Sequence, residues 1–256
     1  MPTEPASLRR VRQVILFAAM LLWLGTMLLI GNLLFLPLIV LPRALRQPLI
    51  QAAISATLAV FLAGASRCGL MRLDLSALDV LNRERGLLLA ANHPSMIDVF
   101  LVISRVRRAA CLMKSSIGFN LFLAVGAWLG GYISNKRVDR MIRQASDAAA
   151  AGQTILAFPE GTRTTTQPVN RLKPGLALIA KRSQAPLQVI LIETNSPYLG
   201  QGWRIWRPPQ FPLVYKARLG PRLMPSSSVP ETARQLQDCF ESALSLSINP
   251  CLKPSR

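Results

Sequence analysis

From Gln13 to Pro42 the chain carries no charged residue, and the run VILFAAMLLWLGTMLLIGNLLFLPLIVL inside it exceeds the roughly 20 apolar residues that a helix needs to cross a bilayer. A soluble domain rarely puts its most apolar stretch near one end, so membrane attachment is the first expectation. A second uncharged stretch, QPLIQAAISATLAVFLAGAS (47–66), is richer in Ala and Ser and reads either as a second membrane helix or as a buried amphipathic one. Arg9, Arg10 and Arg12 precede the first segment and Arg43 and Arg46 follow it, so the positive-inside bias selects no single crossing. Two readings stay open. One is a re-entrant hairpin that bends at Gly31, Pro37 or Pro42 and keeps both basic clusters on one side; the other is an ordinary signal anchor. A cleaved signal peptide does not fit, because its apolar region spans only about 7–15 residues and a small-residue cleavage site should follow it.

Behind this arm, residues 1–69, the pattern changes near Leu70: charged residues return and short apolar runs alternate with helical ones. GLLLAAN (86–92), ACLMK (110–114), GYIS (131–134), TILAFPE (154–160), LQVILIE (187–193) and LVYKARLG (213–220) are predicted strands, several too apolar to have a wet face. SMIDVFLVISRV, RVDRMIRQASDAAAAG and GLALIAKRSQ have helical spacing, with Gly152 where a C-cap belongs. SSVPETARQLQDCFESALSLS opens on a capping-box pattern, Ser228 to Glu231, and is expected as a last helix packed on the domain. Strands alternating with helices predict an α/β domain over residues 70–256, a largely parallel mixed sheet flanked by helices. One loop stands out, GQGWRIWRPPQFP (200–212). It reads as a surface loop held by partly buried indoles, or as a loop that dips into a membrane interface, where Trp and Arg are at home.

The net charge is +18, with the basic residues scattered along the chain. An anionic membrane surface and phosphate-bearing substrates suit such a charge. Nucleic acid is not expected, since no aromatic-basic stripe or reading helix accompanies the charge. Cys68, Cys111, Cys239 and Cys251 are far apart, form no C-x-x-C pair and, with a single histidine, make no zinc site; they read as reduced thiols in a cytoplasmic setting.

That single histidine, His93, lies in AANHPSMIDVF (90–100). It follows a buried strand and precedes Pro94, so it is expected at a strand end, as the N-cap of the next helix, where α/β folds build their sites. Residues five apart in a helix point about 140° away from each other, so His93 meets Asp98 only from outside the helix. A carboxylate that holds one ring nitrogen leaves the other free to take a proton from an alcohol. The competing reading is a histidine that caps its own helix. FPEGTR (158–163) ends another apolar strand, and Gly161 between Glu160 and Thr162 permits a tight turn that presents backbone N–H groups, a hydroxyl and the Arg163 guanidinium together. That is a cradle for phosphate; the plainer reading is a turn with a surface ion pair.

NHPSMID followed some sixty residues later by FPEGTR resembles the glycerophospholipid acyltransferases, whose first and third blocks are N-H-x-x-x-x-D and F-P-E-G-T-R. The resemblance runs from about Leu87 to Ile192. Lys114 matches a lysine found after the second strand, and GGYISNKR looks like the second block, with Gly131 and Arg137 in place. RLKPGLALIA resembles the stretch after the third block, with Lys173 and Gly175 matching and Pro174 replacing a residue that is often basic. Two departures touch blocks associated with acceptor and acyl binding. Lys136 stands where an acidic residue often precedes the arginine, and APLQVIL keeps only Pro186 of the fourth block's two prolines.

The resemblance implies transfer of a fatty acyl group from a thioester, on coenzyme A or acyl carrier protein, to the hydroxyl of a lysophospholipid, 1-acylglycerol-3-phosphate first. His93 would be the base and Asp98 its orienting partner. Glu160, Gly161, Thr162 and Arg163 would bind the acceptor's head group, with Arg137 and Lys114 helping with phosphate. No metal or redox cofactor is implied, and the family's nucleophile is the substrate itself rather than Ser95. The implied location is the inner membrane of a bacterium, with the site on its cytoplasmic face. Alternatives are the same chemistry on a lyso-ornithine lipid or the lipid anchor of an aryl polyene, and a non-catalytic lipid-binding membrane protein.

Overall fold

The computed structural model describes residues 6–248. Helix α1 (Ala6–Phe35) passes Gly31 without a break and, at 1.5 Å per residue, is about 45 Å long. It ends where Pro37 withholds a backbone donor and the chain tightens into a 3-10 turn (Leu36–Val40); Pro42 then precedes α2 (Arg43–Arg67). The two helices return antiparallel. Trp23 packs on Phe61, 6.2 Å between ring centroids, and so close to Gly64 that a Cβ there would come within 2.7 Å of the indole. At the other end Asn32, Phe35 and Ile54 meet at Gly126. The chain thus reverses at Pro37 and Pro42, two of the expected bends, and forms a helical hairpin. The two basic clusters do not end up on one side, however: α1 runs unbroken up to the bend, so Arg9–Arg12 and Arg43 lie at its opposite ends.

By length and composition Ser7–Val40 and Arg43–Arg67 are each long and apolar enough to cross a membrane. They differ in surroundings. α2 buries Ile50, Leu58, Phe61, Leu62 and Ala65, whereas α1 buries only Phe17, Met20 and Asn32.

The rest is a seven-stranded sheet with helices on both faces: β1 (Met71–Asp74), β2 (Leu88–Ala91), α3 (Asp98–Arg105), β3 (Ala109–Met113), α4 (Ala124–Leu129), β4 (Ile133–Ser134), α5 (Val138–Ala150), β5 (Thr154–Ala157), α6 (Gly175–Ser183), β6 (Leu187–Thr194), β7 (Leu213–Leu223) and α7 (Val229–Ile248). The strand order is β1-β7-β6-β2-β5-β3-β4. The five strands from β6 to β4 are parallel; β7 runs antiparallel to β6, and β1 parallel to β7. Alternate side chains of β2 feed two cores. Leu89 and Ala91 pack with Leu101, Val102, Phe61 and Phe17 under α1–α3, while Leu88 and Ala90 pack with Ala145, Ile179 and Phe240 under α5–α7. Both faces are dry, which is why the strand reads as one unbroken apolar run. Each fully buried Leu contributes about 1.5–3 kcal/mol, so the central strands are the most firmly held part of the frame.

Five details depart from the sequence expectations. β1 was not among the predicted strands, because four residues with two charges, MRLD, show no usable period. GYIS yields only a two-residue strand, and β5 stops at Ala157, leaving FPE to the following turn. The capping box at the start of α7 is not made: Ser228 N–H donates to Ser226 Oγ, and the Glu231 carboxylate accepts from Arg234 and Gln235. Finally, His93 is not an N-cap, since α3 begins at Asp98 and a turn fills residues 94–97. Cys68, Cys111 and Cys239 are free thiols; Cys251 lies outside the described residues.

Candidate active site

The parallel strands β2, β5, β3 and β4 are neighbours, so the segments after their C-terminal ends form one row. His93 follows β2, Glu160–Arg163 follow β5, Lys114 follows β3 and Arg137 follows β4. At about 4.8 Å per strand step, the row from His93 to Arg137 spans roughly 14 Å.

The inner end of the row is tightly held. His93 Nδ1 lies 3.0 Å from Asp98 Oδ2, and Ser95 N–H donates to the same oxygen at 2.7 Å. Asp98 is fully buried, and its Oδ1 has no hydrogen-bond partner among the described residues. Burial pushes its carboxyl up to about 6, against the downward pull of the His93 bond and charge and of the Ser95 N–H. The His93 ring stacks on Phe158, 4.1 Å between centroids, and keeps 16% of its side chain exposed. The Asp98 carboxylate therefore fixes Nδ1 and the Phe158 ring covers one flat face, and Nε2 is the nitrogen left for another molecule.

His93 is also held through its backbone. Its N–H donates to Glu160 Oε1 at 2.8 Å, and its carbonyl accepts from Thr164 N–H at 2.7 Å. Glu160 is 1% exposed; Oε1 further accepts the Thr164 hydroxyl, and Oε2 accepts Asn170 N–H at 3.0 Å. The structure thus turns Glu160 inward as a brace between two loops, away from the head-group contact expected of it, because three donors inside the fold already surround its oxygens. Asn92 performs a parallel service one residue earlier: its side-chain amide exchanges two hydrogen bonds with the Ile192 backbone, tying the end of β2 to β6. Neither Asn92, Thr164 nor Asn170 was singled out from sequence. A buried Asn directly before the histidine was the one signal available.

The outer residues are arranged differently. Gly161 turns with φ +69°, a conformation that favours glycine, and the flexible end of Lys173 lies over the turn, its Cε and Nζ 2.8 Å from where a Cβ would stand. Thr162 is exposed beside it. Arg163 points one guanidinium nitrogen at the carbonyls of Leu199 and Gly200, both at 2.9 Å, and so grips the loop after β6. Lys114 is exposed. Arg137 is 71% exposed and makes only a 3.5 Å ion pair with the equally open Asp139. Two other nucleophile candidates are shut away: Ser95 Oγ is buried and donates to the Tyr198 carbonyl, and burial pushes the Cys111 thiol up to about 12. Among the described residues no three His, Cys, Asp or Glu side chains gather as a metal ligand set.

This arrangement can hold an imidazole against a buried carboxyl group at the floor of the row, with cations for an anionic group further along it. A family model described as Acyltransferase matches residues 72–193. A curated 1-acyl-sn-glycerol-3-phosphate acyltransferase of Chlamydomonas reinhardtii is 27% identical over 176 residues, 65% of this chain; the chain spans about half the length of that relative, 50%. Among solved structures, the 1-acyl-sn-glycerophosphate (LPA) acyltransferase PlsC of Thermotoga maritima matches with a TM-score of 0.72 at 18% identity, covering 97% of this chain and 100% of that one, a likeness of fold.

Proposed function

We propose, from the match of residues 72–193 to the acyltransferase family model, that the protein moves a fatty acyl group from a thioester, on coenzyme A or acyl carrier protein, to the hydroxyl of a lysophospholipid at a membrane surface, with 1-acylglycerol-3-phosphate as the first acceptor to test. The observation that carries this reading is the 3.0 Å contact of His93 Nδ1 with buried Asp98, which leaves Nε2 open past the C-terminal end of β2.

His93 Nε2 takes the acceptor's hydroxyl proton as the oxygen attacks the thioester carbonyl. Asp98 keeps the proton of Nδ1 in place and offsets the charge of the imidazolium. The tetrahedral intermediate collapses by breaking its C–S bond, and the imidazolium returns its proton to the departing sulfur. Lys173, poised over Gly161, and the exposed Lys114 and Arg137 supply positive charge for the acceptor's phosphate. Glu160 acts at one remove, by fixing where His93 stands. The two apolar helices hold the row against the lipid in which the acceptor is dissolved.

The test is acyl transfer by membranes carrying the wild type or His93→Ala, with labelled acyl-CoA and acyl carrier protein as donors and a panel of lysolipids headed by lysophosphatidic acid. His93-dependent acylation of lysophosphatidic acid supports the reading. His93-dependent transfer to another acceptor keeps the mechanism and replaces the substrate; Lys136, which adds a cation where the family's second block is often acidic, makes an acceptor of different charge the first replacement to try. Transfer indifferent to His93 would end it.

A further inference from the structure

The loop between β6 and β7, residues 195–212, takes no part in the chemistry above, yet it is fastened to the site. Arg163 grips the carbonyls of Leu199 and Gly200, and Met96 N–H donates to Leu199 O at 3.0 Å. The base of the loop is well packed. Tyr198 is 2% exposed and stands edge-on to both Trp203 and Phe17 of α1, 6.0 and 5.8 Å between centroids; Phe211 reaches Phe17 from the loop's other end at 5.6 Å.

The tip is the opposite. Trp206 exposes 68% of its surface and Ile205 41%. Arg204 and Arg207 bracket them, the Arg207 guanidinium lies 4.8 Å from the Trp203 ring centroid, and no acidic residue occurs from Asn195 to Pro212. A second bare surface lies on α1, the helix that packs on the loop's base. Phe17 turns α1 toward the loop, while Leu8, Ile15, Leu22 and Leu29, seven residues apart and so nearly in line, are exposed on the helix's other side. Nor does any acidic residue occur from Ala6 to Leu73.

An indole and an isoleucine between two arginines, on a loop whose base packs through Phe17 against a helix with a bare apolar side and no nearby negative charge in sequence, match the boundary layer of an anionic bilayer, where rings sit at head-group depth and guanidinium groups meet phosphate. A second copy of the chain fits poorly, because a two-fold contact would bring the same basic face against itself. We propose that residues 203–207 are a second membrane foot, seated in the head-group layer of an anionic phospholipid surface, and that the Arg163 grip on Leu199 and Gly200 ties this seating to the mouth of the site. The consequence for catalysis rests on the reading that the acceptor is a bilayer lipid; the seating does not.

The experiment uses the full chain in phosphatidylcholine–phosphatidylglycerol vesicles whose acyl chains carry bromine at shallow or deep positions. The difference in emission between wild type and Trp206→Phe isolates Trp206, and shallow bromine should quench it more than deep bromine. In the same vesicles, Ile205→Ser combined with Trp206→Ser should raise the apparent KM for embedded lysolipid roughly tenfold, with kcat unchanged and no effect on a short-chain lysolipid presented as monomers. Unquenched Trp206 emission overturns the proposal. So does a loss of rate equal on monomers and bilayers, or one seen only with acyl carrier protein as donor, which would make the tip a protein dock. Should no lysolipid be acylated at all, the enzymatic reading falls while the quenching still decides the foot.

Discussion

The two ends of the active-site row differ in how they are built. Around His93 the oxygens of Glu160 and Asp98, the Asn92 amide and the backbone of Thr164 close on one another inside a dry frame. Around Lys114 and Arg137 the side chains stand in solvent, with one exposed ion pair between them and the rest of the fold. A proton transfer needs its base placed to a fraction of an ångström, and only a braced, buried setting does that. A phosphate can be met by long cations that settle when it arrives. The comparison therefore predicts that the braced end sets the reaction and the open end sets the acceptor.

The sharpest way to break this contrast is His93→Ala, which should lower kcat/KM on the order of 10²–10⁴-fold with the circular dichroism spectrum unchanged. Asp98→Asn comes next: the rate should fall by about 10²-fold or more, yet the protein should become more stable. The amide oxygen can accept from both His93 and Ser95, and its NH2 replaces an Oδ1 that had no donor. The sign follows from linkage. Asp98 ionises near 3.8 unfolded and at about 6 when folded, so between those values the unfolded chain has released a proton that the native one keeps. Wild-type stability accordingly falls as pH rises through that window, by on the order of 3 kcal/mol. Thermal melts should show the Asn variant ahead at pH 8 and level with the wild type below pH about 4. The wild-type rate should also fail as pH drops through about 6, when Asp98 takes up a proton and no longer offsets the imidazolium.

A finer cut separates brace from ligand. Glu160→Gln sets an NH2 against either the His93 or the Asn170 N–H, costing about 1–3 kcal/mol, and should lower kcat with the acceptor's KM unchanged. A rise in KM alone would return Glu160 to the head group. Arg137→Ala should do the reverse, raising that KM roughly tenfold, the worth of one charge-assisted hydrogen bond, with kcat and melting temperature unmoved. Steady-state kinetics on all four variants with one acceptor would show whether the two ends behave as differently as they are built.

Much of this was legible beforehand, for reasons that can be named. Apolar runs such as LLAA and TILA announce buried parallel strands because both of their faces are dry. NHPSMID and FPEGTR announced a histidine–carboxylate pair and a glycine turn. The inward turn of Glu160 was hidden, because its partners Thr164 and Asn170 are ordinary loop residues and His93 offers it only a backbone N–H. The start of α3 was hidden as well: Pro94 suits a first helical turn, but Ser95 is drawn aside by the Tyr198 carbonyl from across the fold.

What the sequence alone determined is what depends on residue type and short spacing: an uncharged apolar stretch long enough to cross a membrane, strands with two dry faces, one imidazole, a glycine placed for a tight turn. Tertiary structure decided the rest. It chose which carboxylate faces the histidine and which braces it, where the apolar arm reverses, and which two large apolar residues of a Trp-Arg loop are left bare. Those choices belong to contacts between residues a hundred or more positions apart, as between Asn92 and Ile192 or Phe17 and Phe211, and no local pattern encodes a contact that exists only once distant segments lie side by side.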